Sequence, residues 1–138
     1  MTGKLPQGTL PWFDMVGGEI VKAAKRVGLP PDFSLSVIER YTDGAELGDG
    51  LRQGLRIDVA DSALTYRVGV FWEERADVMI EVTSLTARQL NLLFGDDPDY
   101  RRTLEEVVAQ GAMRVTGDLG PLGPVFDSAH DGIVIRTG

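Results

Sequence analysis

A chain of 138 residues with 21 acidic against 14 basic side chains, and a formal charge of −7, lacks the basic stripe that nucleic-acid binding requires and argues against stable anchoring on an anionic membrane. It contains no cysteine, which removes disulfides, thiol nucleophiles and thiolate metal ligands. Its 43% apolar and 25% charged content suits one folded domain over residues 1–138 with a sizeable core, and 17 glycines and seven prolines favour short strands over a helical bundle.

Met1 to Leu10, with Gly3, Pro6 and Gly8, reads as a loose lead-in. From Pro11 a helical pattern begins, with Phe13, Val16, Ile20, Ala24 and Val27 on one face and Gly28 before Pro30-Pro31 as its stop. Gly17-Gly18 inside it costs about 1 kcal/mol per residue against alanine, so either the helix kinks there or another element packs closely on it. Phe33, Leu35 and Val37 alternate with serines in a half-buried strand continuing to Tyr41, followed by a turn-rich acidic loop from Thr42 to Gly50. Leu55, Ile57 and Val59, then Leu64, Tyr66, Val68 and Val70, alternate on either side of Asp61-Ser62 and predict an antiparallel hairpin. Val78, Ile80 and Val82 make a further strand, so the first half reads as a helix followed by an antiparallel meander.

At Thr86 the period changes from two to 3.6. Thr86 with Gln89 fits a capping box, and Leu90, Leu93 and Phe94 form a short stripe. Asp97-Pro98 is an N-cap followed by proline in the first helical turn. Tyr100, Leu104, Val107 and Val108 then share a face, and Gly111 is the expected left-handed residue at the helix end. Met113 and Val115 predict a brief strand closed by Gly117-Asp118. Leu122, Val125, Phe126 and Ala129 stripe a last helix, and Ile133 to Arg136 reads as an edge strand.

The chemistry-bearing residues are few. His130 is the only histidine, which leaves no second imidazole for a metal site. Near the end of its helix it suits a capping or solvent role better than catalysis. No nucleotide-phosphate loop and no nucleophile elbow is present. The carboxylates of Thr42–Gly50 do not follow the spacing of a calcium loop, and Asp96, Asp97 and Asp99 are explained by helix capping. No cofactor and no metal is expected. Of Phe71 and Trp72, one should point inward, as core packing or as a wall of an apolar cavity. The N-terminus shows no basic segment followed by the roughly 7–15 apolar residues of a secretion signal. No apolar run nears the ~20 residues of a spanning helix, so a cytoplasmic location is expected.

One passage carries a pattern beyond periodicity. Gly111, Met113, Val115, Gly117 and Asp118 match the run G-x-[ILM]-x-[VI]-x-G-D, and Leu85-Thr86 with Leu90 to Phe94 precedes it as a strand handing over to a short helix. This resembles the C-terminal half of the sterol-carrier-protein-like lipid-binding family. The element order is similar from about Asp32 to Ala129, and the residue match is specific from about Val78 to Leu119. The chain departs from the family at Gly120 to Pro124, which is stiffer than the family's apolar run. It also ends in Ile133 to Gly138 without a peroxisomal tripeptide, which points to a free-standing bacterial-type relative.

The resemblance implies an α+β fold: a sheet of about five strands, mainly antiparallel, with helices packed on one face enclosing an apolar cavity. It implies non-catalytic binding or transfer of a lipid, acyl chain or sterol-like ligand. The candidate lining residues are Phe71, Leu90, Phe94, Leu104, Val108, Met113, Leu122 and Phe126. Two other readings stay open. One is a small isomerase or dehydratase of a cone-shaped α+β fold, using Asp58 with Tyr66 or Tyr41. The other is an interaction domain forming a homodimer through the edge strand at Ile133 to Arg136.

Overall fold

In the computed structural model, which describes residues 4–138, the first helix runs over Leu10–Val27 (α1). Thr9 caps it by accepting from the Trp12 N–H, and Gly28 closes it at φ +84 with its own N–H on the Ala24 carbonyl. The helix passes through Gly17-Gly18 unbroken. A Cβ on Gly17 would lie 2.3 Å from the Tyr66 ring, so close packing is what the glycine allows. Of the expected lead-in, Met1–Gly3 lie outside the described residues. Leu5 is not loose: it bridges to Thr137, donating to the Arg136 carbonyl and accepting from Gly138.

The strands are Leu35–Tyr41 (β1), Glu46–Gly48 (β2), Leu51–Ala60 (β3), Ala63–Val70 (β4) and Val78–Val82 (β5). There follow Ser84–Asn91 (α2), Pro98–Ala109 (α3), Met113–Thr116 (β6) and Leu122–Arg136 (α4). The sheet thus has six strands, because the acidic loop contains β2, paired to the start of β3. The hairpin β3–β4 forms as expected, with Asp61 and Ser62 both at positive φ in its turn. The meander does not continue. β5 crosses over and lies parallel to β1, and β6 pairs antiparallel with β5, so the sheet is mixed.

Two local expectations are corrected in the second half. Thr83, not Thr86, starts α2: its side chain accepts from the Thr86 N–H, which leaves Thr86 buried inside the first turn. Ile133 to Arg136 is the last turn of α4, not an edge strand. Burial overrides the β-branched composition there, since Ile133 and Val134 are both buried, and this removes the basis for a strand-mediated homodimer.

The register defines two faces. Val37, Glu39 and Tyr41 on β1 stand beside Ile57 and Leu55 on β3 and Val78, Ile80 and Val82 on β5, all facing the helices. Against them pack Trp12, Phe13, Val16 and Ile20 of α1 and Leu122, Val125 and Ala129 of α4. Trp12 ties the two helices: its indole N–H donates to the Thr137 hydroxyl at 3.0 Å, which donates to the Ile133 carbonyl at 2.7 Å. Each of the large aliphatic and aromatic side chains among these contributes about 1.5–3 kcal/mol, against about 1 kcal/mol for a typical cap.

The opposite face is covered by the crossover 71–77. Arg40, nearly buried, pairs with Glu81 at 2.7 Å, donates to the Trp72 carbonyl and lies 4.8 Å from the Trp72 ring. Glu74 ties down the same connection through Arg56 and Arg67. Among the described residues no helix is long and apolar enough to cross a membrane.

Candidate functional site

Between the helix-side face of the sheet and the helices lies a cavity of about 260 Å³. Its floor is Leu55, Ile57, Ile80 and Val82, all on the helix-side face of β3 and β5. Its walls come from Trp12, Val16 and Ile20 of α1, Leu90 of α2, Leu104 of α3, Met113 of β6 and Phe126 of α4. All four helices therefore contribute. The wall is apolar for a local reason. α2 and α3 each present a stripe only a few residues long, so they roof the sheet without filling the space beneath.

Four of the eight candidate lining residues meet here: Leu90, Leu104, Met113 and Phe126. The others do not. Leu122 is fully buried in the α1–α4 core but does not reach the cavity. Phe71 follows the end of β4 and is 49% exposed beside Arg67, and Trp72 is exposed against Arg40 on the outer face, so neither points inward. Phe94 lies in the α2–α3 connection and is 44% exposed. On α3 the inward stripe narrows to Tyr100, Leu104 and Val107, which turns Val108 outward.

Of the polar part of the wall, the sequence placed only Tyr100 on an inward face, and read His130 as a cap. It consists of Glu39, Asn91, Tyr100, Asp127 and His130. Glu39 occupies an inward register position on β1, opposite Leu55 and Ile80, and burial raises its carboxyl above the ordinary carboxylate range. The strand alternation Val37-Ile38-Glu39-Arg40-Tyr41 did contain the signal, because Glu39 shares the parity of Val37 and Tyr41. Tyr100 is raised by burial first, then by the charges of Asp127 and Glu39.

His130 lies in the middle of α4, not at its end, and does not cap it. Its Nε2 is 2.7 Å from the Leu93 carbonyl, an acceptor only, so that nitrogen carries hydrogen. Its ring centroid lies 4.4 Å from that of Tyr100, the two rings tilted by 40°.

No group of three or more His, Asp or Glu side chains among the described residues converges as a metal site. The acid–tyrosine pairing expected of an isomerase is not assembled. Asp58 lies on the outer face with Arg56, whereas Tyr66, paired in register with Ile57, faces α1 and donates to Asp14 at 2.7 Å. Tyr41 faces the helices too and accepts from Gln7, with burial raising its phenol.

The chain has the sterol-carrier-protein fold. It superposes on a crystal structure of sterol carrier protein 2 with a TM-score of 0.52 at 15% identity, over 94% of this chain and 97% of that one. Sterol carrier protein 2 of Aedes aegypti, solved in complex with palmitate, matches at 0.51 and 17% identity over 85% and 96% of the two chains. The solution structure of a conserved hypothetical protein of Thermus thermophilus matches at 0.50 and 15% identity, over 95% and 90%. No family model matches the chain, and no curated protein does.

Proposed function

We propose that the chain binds, and passes on, an apolar or amphiphilic lipid held in the cavity between the sheet and the four helices. The observation that carries this is the cavity itself: an apolar space roofed by every helix of the described chain, in a fold shared with sterol carrier protein 2. The Aedes aegypti relative of that fold holds a C16 fatty acid. Hydrocarbon burial supplies the affinity, about 0.8 kcal/mol for each methylene withdrawn from water, so no catalytic group is needed.

The test is titration of the full chain with a fluorescent long-chain alcohol. Saturable binding is expected, and Phe126→Asp, which puts a charge into the apolar wall, is expected to weaken it at least about tenfold, a loss of about 1.4 kcal/mol or more. Phe126→Leu should bind within a few-fold of the parent. Absence of saturable binding, or indifference to Phe126→Asp in a folded protein, overturns the reading.

A further inference from the structure

The cavity contains a carboxylate that no other group among the described residues answers. Glu39 projects from the helix-side face of β1, and no hydrogen bond or ion pair reaches its side chain among the described residues. The acidic residues of the opposite face are paired: Glu81 with Arg40, Glu74 with Arg56 and Arg67, Asp58 with Arg56. Glu39 is half-buried, with its carboxyl turned to the cavity and not to a protein partner. A carboxyl withdrawn from bulk water without a partner is costly, and leucine would fill the position without that cost, so a ligand that hydrogen-bonds to Glu39 gains what the fold does not supply.

The surroundings narrow the ligand. No lysine or arginine lines the cavity, and its other titratable groups are Tyr100, Asp127 and His130. The His130 Nε2 hydrogen is already committed to Leu93. An incoming carboxylate thus meets two acidic side chains and no permanent cation. An incoming hydroxyl or ammonium meets an open acceptor.

We propose that Glu39 is the polar anchor of this cavity and selects an amphiphile with a hydrogen-bond-donating head, an aliphatic alcohol or amine, over a fatty-acid carboxylate. The inference rests on the carrier reading above and gives it a ligand class. The head donates to the Glu39 carboxyl, while the hydrocarbon lies along Ile57, Ile80, Leu104 and Phe126. Selectivity comes as much from refusing the second negative charge as from the hydrogen bond gained.

The experiment is displacement of the fluorescent alcohol from the full chain by hexadecanol, hexadecylamine and palmitate at neutral pH. It is run on the parent, Glu39→Gln and Glu39→Leu, with circular dichroism confirming each fold. In the parent, hexadecanol or hexadecylamine should compete at least about tenfold better than palmitate. Glu39→Leu should lose that preference while still binding the chains. Glu39→Gln should keep hexadecanol and give up any advantage of the amine. Equal competition by palmitate in the parent, or a preference that survives in Glu39→Leu, overturns the anchor and leaves the carrier reading standing. Failure of all three to bind the parent overturns both.

Discussion

Gly17 and Gly18 are neighbours in α1, yet alanine should act on them in opposite directions. A Cβ on Gly18 meets nothing within 4 Å, so Gly18→Ala keeps the full helix-propensity gain of about 0.5–1 kcal/mol. A Cβ on Gly17 meets three atoms of the Tyr66 ring between 2.3 and 2.6 Å. That ring cannot simply swing away, because its hydroxyl is held by Asp14 at 2.7 Å. Overpacking of this kind costs about 1–3 kcal/mol, more than the propensity gain, so Gly17→Ala should destabilise. Gly132→Ala provides the contrast: its clash is with Oε1 of Glu19, the end of a flexible side chain paired only to exposed Lys22. Urea midpoints of the three variants check the order, with Gly18→Ala highest and Gly17→Ala lowest. The glycine pair was visible in the sequence as a kink or a close approach. Which of the two held depended on Tyr66, a strand residue distant in the chain, so residues 17 and 18 alone could not decide it.

Among the elements, the β3–β4 hairpin was legible because alternation and turn chemistry agree at Asp61-Ser62. Both residues sit in the left-handed region, at φ +52 and +66, as a two-residue hairpin turn of this hand demands. Ser62 has a Cβ in a conformation that costs an ordinary residue about 1–2 kcal/mol. Ser62→Gly removes that cost but loosens the unfolded chain by about 0.5–1 kcal/mol, so a net gain of about 0.5–1 kcal/mol is expected. A thermal-unfolding scan showing no rise would count against the strained turn. The elements that were not legible depend on distant partners. Phe71 to Asp77 is long enough for a return to β4 or for a crossover, and the ion pairs of Glu74 with Arg56 and Arg67, made only in the folded chain, hold it across the outer face. Ile133 to Arg136 has the composition of a strand. It is helical because Ile133 and Val134 bury against the core while Thr137 receives the Trp12 indole. The cavity was half legible for the same reason. The stripes of α2, α3 and α4 gave Leu90, Leu104 and Phe126, but bringing Glu39 of β1 together with Asn91, Tyr100, Asp127 and His130 of the helices needed the packing of helices on sheet.

For the molecule as a whole, these placements set how stability depends on pH. Asp43 is held below its ordinary range, chiefly by the Ser84 N–H and also by the Ser84 hydroxyl. Glu74 is pushed up by burial, but hydrogen bonds from Arg67, the Phe71 N–H and Arg56 outweigh that and leave it lowered. Carboxylates with depressed values stabilise the fold above their unfolded value of about 4, and lose that contribution as pH falls through the folded one. Asp43 is exposed, so its acid-side effect is screened and modest, whereas the Glu74 side chain is only 15% exposed between Arg56 and Arg67 and carries more of that effect. Glu39 acts in the opposite sense. Burial raises it above 4.5, so the folded chain holds a proton that the unfolded chain releases first. Its contribution is fully present only below the unfolded value, and stability is lost as pH climbs from the unfolded value through the raised one. The ligand-free chain should therefore be most stable on the acidic side of neutrality and weaken toward pH ~8. The overall charge of −7 pushes the same way, since self-repulsion grows as acids ionise, so the parent profile alone does not isolate Glu39. Glu39→Gln does. It should raise the urea midpoint near pH ~8 and leave it little changed near pH ~4, where the parent side chain is already neutral. A parent and a Glu39→Gln variant that decline in parallel would show that Glu39 is hydrated in the free protein, and with it that the cavity is wet.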